Sequence, residues 1–507
     1  MTDSGRLTVV TGVFLCGLLG WTAAGYPGAG IGVTLGLVLL VMPWWRQPLW
    51  SWATLYLRRQ RPIEFADPVT LANDRSSGGV RFQDDVAVTA LALLGKPHCL
   101  TLVAGSMTST SNAMNISELR SLMSQALGLK IESMSVISTG SRRGSLGDFP
   151  RVYDTLIGTA PYAGRRETWL IVRIRSSASG DALQCRDTVG TASLAAAQRI
   201  AATLRCSGIR AKVATATEML ELEKRLGRNY LATRNRHWRG VRGDPGWHST
   251  YAYRPTDVSS EVLAQAWSLP ADTITQNLTM FPDGDVMATV TVHTAQPATV
   301  SPSAVLQTLP GRQASALAAH LCGPRPDIRG VGQGPLLRPV VIPLGPSGVL
   351  LGRSFTGDRV LLPLGDPGRP SRVHIGADDA IAKRVILRAA GTGERITVHT
   401  SAFARWESIR MPNVVVTEQP RPVPGTTLSV VDGTVQVTPR PSTVISVSPP
   451  DTGGAAAEVV IMQTAPTTIS VTVGGMVHQV EVEFFRAENR YVWDRSSQAR
   501  PELVTAD

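Results

Sequence analysis

The sequence predicts a mixed α/β protein in which two N-terminal transmembrane helices precede a cytoplasmic region with βαβ (Rossmann-like) units and a β-rich C-terminal tail. Three observations carry this prediction. No charged residue occurs between Arg6 and Arg46. Strands and helices then alternate through residues 63–417, as in βαβ units. Short alternating apolar runs and glycine turns dominate residues 418–507, which is typical of β-hairpins.

The apolar N-terminal segment divides into spans at about residues 7–24 and 31–50, which we expect to form a helical hairpin within residues 1–62. A spanning helix needs about 20 residues, and Pro27 with its neighbouring glycines forms a turn between the spans. Gly12, Gly17 and Gly20 would allow the two helices to approach closely. A cleaved signal peptide is the alternative, and the second apolar span with the arginines after it disfavours that reading.

Basic residues set the expected orientation. Arg46, Arg58, Arg59 and Arg61 follow the second span, and Arg6 precedes the first. Positive residues remain on the cytoplasmic side of a bilayer. We therefore expect a multi-pass plasma-membrane protein in contact with the lipid bilayer, with both termini in the cytoplasm.

The composition fits a large water-soluble part after the membrane segment. The 507 residues carry a net charge of +11, with 43% hydrophobic and 18% charged residues, as in globular proteins. The basic excess suits nucleic acid or anionic lipid, and its position beside the membrane segment favours lipid, so no nucleic-acid partner is expected. The five cysteines are widely spaced without C-x-x-C, which disfavours a disulfide framework or a zinc knuckle.

The soluble part contains two strand–helix–strand patterns. Residues 168–174, 189–205 and 209–214 read as strand, helix and strand, which predicts a parallel strand pair. Strands at 373–375, 395–400 and 413–417 alternate with helices at 378–390 and 402–409, which predicts a Rossmann-like unit. A subdivision near residues 300–338 stays open.

Hairpin signals occur in both the soluble part and the tail. Two aspartates, Asp84 and Asp85, separate alternating runs within residues 80–94. In the tail, Asp432-Gly433 lies inside residues 426–437, and Gly474-Gly475 lies inside residues 470–493. We expect a hairpin at each position and disorder at the end of the chain.

Chemical motifs are scarce. The sequence contains no G-x-x-x-x-G-K-[ST] and no H-E-x-x-H, so it predicts no ATPase motor, cofactor or metal site. Asp283 and Asp285 could hold a divalent cation, yet residues 282–285 also read as a hairpin turn, which we favour. Arg165 and Arg166 could bind phosphate or an acidic partner, or remain solvated loop charges.

The order of these segments resembles the EccE family, a membrane component of the actinobacterial ESX (type VII) secretion system. The similar segments are residues 56–62 (YLRRQRP), 165–173 (RRETWLIVR) and 342–352 (IPLGPSGVLLG), within a resemblance covering residues 7–416. It implies a non-enzymatic inner-membrane subunit at the periphery of a complex with EccB-, EccC- and EccD-like proteins. EccC-like subunits carry the ATPase, which agrees with the missing P-loop motif.

The family has no accepted catalytic residues, so none is assigned. The interface candidates are Gly12, Gly17, Gly20, Arg46, Arg58, Arg59, Arg61, Arg165 and Arg166. The alternative function is a membrane-anchored glycosyltransferase-like enzyme that uses Asp283 and Asp285. The particular ESX system, its exported substrates and the copy number stay open at this stage.

Overall fold

The computed structural model describes residues 3–41, 43–44, 47–48, 56, 62–73, 76–125, 128–184, 188–244, 246–297, 300–328, 330–450 and 456–493. Arg46, Arg58, Arg59 and Arg61 lie outside the described residues, as does the chain end that we expected to be disordered. The mixed α/β class is confirmed.

The strands form two large sheets. In chain order they are β1 (Pro43–Trp44), β2 (Gln47–Pro48), β3 (Val69–Ala72), β4 (Ser77–Gln83), β5 (Val86–Leu94), β6 (Thr101–Ala104), β7 (Met107–Thr110), β8 (Ala113–Asn115), β9 (Ile131–Ser141), β10 (Arg165–Arg175), β11 (Arg210–Val213), β12 (Val241–Gly243), β13 (Gly246–Tyr253), β14 (Thr273–Met280), β15 (Asp285–Thr294), β16 (Leu306–Thr308), β17 (Gly334–Pro335), β18 (Val341–Pro343), β19 (Val349–Arg353), β20 (Arg359–Leu362), β21 (Ser371–Gly376), β22 (Ile396–His399), β23 (Val414–Thr417), β24 (Leu428–Asp432), β25 (Thr443–Ser448), β26 (Val459–Ala465), β27 (Thr468–Val473) and β28 (Met476–Glu481).

The helices are mostly short and lie between strands. They are α1 (Asp3–Val41), α2 (Glu118–Leu122), α3 (Phe149–Ile157), α4 (Gly180–Leu183), α5 (Val189–Cys206), α6 (Ala216–Arg225), α7 (Ser260–Gln265), α8 (Gln313–Ala318), α9 (Asp379–Thr392), α10 (Phe403–Trp406) and α11 (Asn489–Val492). Helix α5 matches the predicted 189–205 closely, and Thr188 caps it by accepting a hydrogen bond from the Thr191 amide.

Helix α1 corrects one prediction. Two separate transmembrane helices were expected, whereas the described residues contain one candidate, the 30-residue segment Val9–Val38. The predicted turn lies inside this element, because Ala24 and Gly25 depart from helical dihedral angles and Gly25 has a φ of 64°. Proline at position 27 lies just past the break, where its missing N–H does least harm to the second limb.

The two limbs of α1 contact each other across this break. A Cβ added at Gly20 would lie 2.1 Å from the carbonyl oxygen of Gly28, although residues eight apart in a straight helix are separated by about 12 Å. Additional close approaches join Gly12 to Leu40 and Gly17 to Val33. The chain therefore folds back at the break, and these three glycines lie where the limbs are closest.

The first sheet is antiparallel and runs in the order β12-β13-β15-β14-β9-β10-β5-β4-β3, with β11 beside β5 and β16 beside β13. The hairpin predicted at residues 80–94 is confirmed, because β4 and β5 pair around Asp84 and Asp85. Both aspartates have positive φ, which their short side chains tolerate in tight hairpin turns. The β14–β15 hairpin around residues 282–285 is also present.

The predicted parallel pair in the first sheet is wrong in one respect. Strands β10 and β11 both pair with β5 in antiparallel fashion, so they run in the same direction with β5 between them. Helix α5 still connects them across the sheet. The sequence pattern predicts the relative direction of β10 and β11 correctly. It does not reveal that β5 lies between them, because β5 comes earlier in the chain.

The second sheet is mixed, with the order β23-β22-β24-β25-β21-β26-β27-β28-β19-β20-β6-β7. Strands β21 to β26 pair in parallel. Numbered 1 to 6 along the chain, they follow the order 3-2-4-5-1-6, whereas the Rossmann order is 3-2-1-4-5-6. The Rossmann-like part of the prediction is therefore not confirmed, although β21, α9 and β22 do form a strand–helix–strand segment.

The tail strands belong to this second sheet. Strand β25 pairs with β21 and β24, so residues 417 and 418 do not separate two sheets. The hairpin predicted around Asp432-Gly433 is wrong: β24 pairs in parallel with β22 and β25, and residues 434–442 contain no strand. The apolar neighbours of β24 lie in distant segments, and they outweigh the local turn signal. The hairpin at Gly474-Gly475 is confirmed by the pairing of β27 with β28.

Each sheet has its own apolar core, and a further apolar cluster joins α3, which lies between β9 and β10, to β19, β20 and α9 of the second sheet. Hydrogen bonds also connect the two sheets. The Tyr162 hydroxyl donates to the Gly348 carbonyl oxygen at 2.9 Å. The Gly144 amide donates to the Gly391 carbonyl oxygen at 2.9 Å, and a Cβ added at Gly144 would lie 2.8 Å from Gly393 Cα. These contacts hold the end of β9 and the start of β10 beside the C-terminal end of α9, and a cleft lies between the two sheets there.

Candidate functional site

The cleft between the two sheets has a volume of about 780 Å³. The first sheet contributes the ends of β9 and β10, and the second contributes the C-terminal end of α9 and the loops before β21, β24 and β25. It contains both predicted interface arginines of the soluble part, Arg165 and Arg166. Clefts of this size are common binding sites for small ligands.

Strand β10 places these two arginines in different environments. Successive side chains of a strand point to opposite faces, so Arg165 is exposed while Arg166 is half-buried. Gly140 on β9 makes this register possible, because a Cβ at that position would lie 1.9 Å from the Arg165 carbonyl oxygen. A side chain there would force the start of β10 away from β9.

Arg166 has contacts but no acidic partner among the described residues. Its guanidinium carbon lies 4.3 Å from the centre of the Trp267 ring, which is cation–π distance. Nη1 donates one long hydrogen bond of 3.5 Å to the Pro343 carbonyl oxygen, and Nε is buried without an acceptor. Burial lowers the pKa of Arg166 to about 9, because loss of water disfavours the charged form.

The other arginines that line the cleft are neutralised by carboxylates. Arg165 lies 3.8 Å from Glu394, which links the first sheet to the second. Arg225 donates to both carboxylate oxygens of Glu167, at 2.9 and 3.0 Å. The cleft is therefore close to neutral at its rim, and Arg166 is its uncompensated charge.

A second polar pocket of about 260 Å³ lies beside β13 and β15. Its rings include Tyr230, His248 and His293, with the two histidine ring centres 4.7 Å apart. Burial, with a smaller contribution from His293, lowers the pKa of His248 to about 4. Within the described ranges, no group of three or more histidine, cysteine or acidic side chains is arranged to hold a metal ion.

The aspartates of the D-x-D motif act within their own turn. Asp283 Oδ1 accepts a hydrogen bond of 2.9 Å from the Asp285 amide, and Gly284 between them has a φ of 91°. This is the geometry of an Asx turn that closes the β14–β15 hairpin. The turn interpretation therefore explains these residues without a ligand.

Two contacts of the site were not anticipated. Trp267 and Glu394 follow Arg166 and Arg165 in the chain by more than a hundred and two hundred residues, and neither lies in a recognisable motif. Their spacing gave no signal, because the sheets that bring them together pair strands from distant segments. An aromatic residue in the short helical segment around residues 260–268 could only have been read as core.

Comparisons with known proteins all find EccE proteins of type VII (ESX) secretion systems. The sequence profile of the family described as "type VII ESX secretion system translocon, EccE" matches residues 162–253. The chain is 46% identical over 512 residues to the ESX-2 secretion system protein EccE2 of Mycobacterium tuberculosis strain CDC 1551 / Oshkosh, covering 96% of this chain and 95% of the relative.

More distant relatives carry the same kind of name. The ESX-1 secretion system protein EccE1 of the same strain is 24% identical over 389 residues, covering 74% of this chain and 77% of the relative. The ESX-5 secretion system protein EccE5 of Mycobacterium marinum is 28% identical over 181 residues, covering 34% of this chain and 44% of the relative. The matched profile contains β10, α5, β11 and α6, and thus the arginine side of the cleft.

Proposed function

Because the chain belongs to the EccE family and is thus a subunit of a type VII (ESX) secretion system, we propose that it is a non-enzymatic scaffold at the periphery of the membrane complex. The observation that carries this proposal is the similarity to EccE2, which extends over almost the whole chain. An alignment that covers 96% of this chain and 95% of the relative supports a similar place in the complex for the two proteins.

The partners we propose are the EccB-, EccC- and EccD-like subunits of the same complex. Family membership implies partnership with other subunits of the secretion system. The higher identity and coverage of the ESX-2 relative, compared with the ESX-1 relative, favour an ESX-2-like system. The glycosyltransferase-like alternative gains no support, since the relatives are named as secretion proteins and Asp283 is engaged in its own turn.

The membrane arrangement we propose is a two-pass hairpin with both termini in the cytoplasm. Membrane association itself agrees with the family and with the apolar segment Val9–Val38. Two features favour two passes over one: the backbone break at Ala24 and Gly25, and the contact between the limbs. Large apolar side chains on both limbs, including Phe14, Leu19 and Ile31, are exposed and suit contact with lipid or with neighbouring helices.

A matched pair of glycine variants tests whether this hairpin docks the protein into its complex. Gly20→Val forces the limbs apart, because even one added carbon would meet the Gly28 backbone, whereas Gly30→Val adds the same side chain where no atom lies within 4 Å. After purification in mild detergent from the native membrane, wild type and Gly30→Val should recover an ATPase and a multi-span channel subunit. Gly20→Val should recover severalfold less of both.

Recovery of the wild-type chain alone from solubilised membranes would contradict the scaffold proposal. Equal recovery of partner subunits with both glycine variants would contradict docking through the hairpin, since the packed limbs would then contribute nothing to it. Quantitative mass spectrometry of the eluted complexes measures both outcomes.

A labelling experiment tests the orientation separately. Tyr26 lies beside the break in α1 and is 82% exposed, so a membrane-impermeant maleimide added to intact spheroplasts should label Tyr26→Cys. Cys206 is an exposed native thiol of the soluble part and serves as the internal control, protected until the cells are lysed. Labelling of Cys206 from outside, or protection of Tyr26→Cys, would reverse the proposed orientation.

A further inference from the structure

Arg166 differs from the other arginines of the cleft in its contacts. Arg165 and Arg225, which line the same space, each contact a carboxylate. Arg166 contacts none among the described residues, and its Nε has no acceptor at all. A guanidinium offers five N–H donors, and here a single long hydrogen bond of 3.5 Å is made.

Burial makes this arrangement costly. The pKa of Arg166 falls to about 9, which still leaves the group charged at neutral pH. A buried charge without a counter-ion is unfavourable, and the stacking on Trp267 compensates only one face of the guanidinium. Proteins retain such a charge where a ligand supplies the opposite one.

The surroundings of Arg166 offer further donors to a ligand. Arg166 borders the 780 Å³ cleft and also a cavity of about 10 Å³, which holds about one water molecule. The cleft itself is lined by the hydroxyl-bearing residues Ser141, Thr273 and Thr443. Hydroxyls that share a cleft with a planar guanidinium suit the oxygens of a carboxylate or a phosphate.

We propose that the cleft between the two sheets binds a small ligand that carries an oxyanion, phosphate or carboxylate, and that Arg166 holds this oxyanion while Trp267 supports the guanidinium from behind. The volume limits the ligand to a small molecule. The ligand would occupy the seam where the sheets meet, since the lining comes from both. This site goes beyond the scaffold role, because binding a small molecule is not required for bracing a complex.

The test is calorimetric titration of the full chain in mild detergent, at constant ionic strength, with inorganic phosphate, pyrophosphate and citrate as probes. Wild type should bind at least one probe saturably, with a dissociation constant below about 1 mM. Arg166→Gln should weaken that binding at least tenfold, as expected for loss of a charge-assisted hydrogen bond of about 1.5–3 kcal/mol. Binding of the phosphates alone assigns a phosphate ligand, and binding of citrate alone assigns a carboxylate.

Three further variants keep the test decisive. Arg410→Gln removes an exposed arginine away from the cleft and should bind as wild type does. Arg225→Gln removes a paired arginine of the rim and should weaken binding less than Arg166→Gln does. Arg166→Lys keeps a charge in the cleft but loses the planar fork, and should weaken binding severalfold even if Arg166→Gln is too unstable to purify.

The proposal is overturned if wild type binds none of the probes at millimolar concentration. It is also overturned if Arg166→Lys binds as tightly as wild type, or if Arg225→Gln and Arg166→Gln lose equal affinity, since binding would then reflect diffuse positive charge. These results leave the scaffold proposal untouched, because subunit recovery with the Gly20 and Gly30 variants is measured independently.

Discussion

Strand β10 and helix α9 both bury arginines, but the guanidinium groups have different partners. Those of α9 face a carboxylate, and that of Arg173 on β10 faces neutral acceptors. On α9, Arg388 and Arg384 face Glu488: the Arg388 Nε lies 2.7 Å from one carboxylate oxygen, and the Arg384 Nε lies 3.4 Å from the other. On β10, the fully buried Arg173 donates to the carbonyl oxygens of Leu321 and Gly323 and to Ser135, and no carboxylate of the described part of the chain contacts it.

The comparison distinguishes arginines that stabilise the fold from an arginine that could bind a ligand. Glu488 precedes α11, so its pairing with α9 fastens the end of the described chain to the second sheet. Neutral acceptors satisfy the hydrogen bonds of Arg173 but leave its charge, and burial lowers its pKa to about 10. Arg166, at the other end of β10, donates a single long hydrogen bond of 3.5 Å to the Pro343 carbonyl oxygen. Arg173 is thus satisfied inside the fold by neutral acceptors, whereas Arg166 lines a cleft with donors left over for a ligand.

The largest loss of unfolding free energy should follow from removing Glu488, the carboxylate that pairs with the two arginines of α9. Glu488→Ala leaves two buried arginines without a counter-charge, and loss of one partner from a buried pair costs about 3–5 kcal/mol. Chemical unfolding of the full chain in detergent measures this loss. Glu407→Ala, which removes the acid of an exposed Arg410 pair, is the control and should cost less than about 1 kcal/mol. Similar losses in both variants would contradict the distinction.

An intermediate effect should appear on acidification, and only in the first sheet. His320 is fully buried beside the segment that accepts from Arg173, and burial lowers its pKa to about 3. The unfolded chain protonates His320 near pH 6.5 while the folded chain does not, so stability is present above that pH and is lost as pH falls toward 3. Between pH 7 and pH 5 this loss is roughly 2 kcal/mol.

Unfolding free energies at the two pH values check this prediction. His320→Asn lowers stability at both by leaving a small gap, but it should reduce the difference between pH 7 and pH 5 by roughly 2 kcal/mol. An unchanged difference would mean that folding does not lower the pKa of His320. Hydrogen exchange should show early opening of β14 and β15 at pH 5, while β21 to β25 remain protected.

The smallest effect should come from Arg166 itself. Because no carboxylate of the described residues balances the charge of Arg166, Arg166→Met, which keeps an unbranched apolar stem against Trp267, should change the unfolding free energy by less than about 1 kcal/mol or raise it. Thermal unfolding in chloride buffer measures this. A loss as large as that of Glu488→Ala would show that Arg166 is structural.

The sequence predicted local features well and distant pairings poorly. The helices predicted at residues 189–205 and 378–390 form as α5 and α9, and the hairpins at Asp84-Asp85 and Gly474-Gly475 form. These signals act over a few residues. The turn signal at Asp432-Gly433 misled, because β24 finds its partners in β22 and β25 through pairings that no local pattern records.

The sequence predicted the two arginines of the site but not the residues that contact them. Two adjacent arginines before a strong strand marked Arg165 and Arg166 as interface candidates, and alternation along β10 separates them. Which of them lacks a partner depends on Trp267, Glu394 and the loop at Pro343, all brought in by the fold. Spacing in one sequence contains no information on such contacts.

The position of β21 has a consequence for how the protein is made. Val373 in β21 lies between Ile445 of β25 and Val459 of β26, which the ribosome adds some seventy to ninety residues later. The apolar N-terminal segment leaves the ribosome first, so a nascent chain reaches the bilayer long before its second sheet can close. Until translation passes β25, both edges of β21 are open to foreign strands, and one edge stays open until β26 has been made.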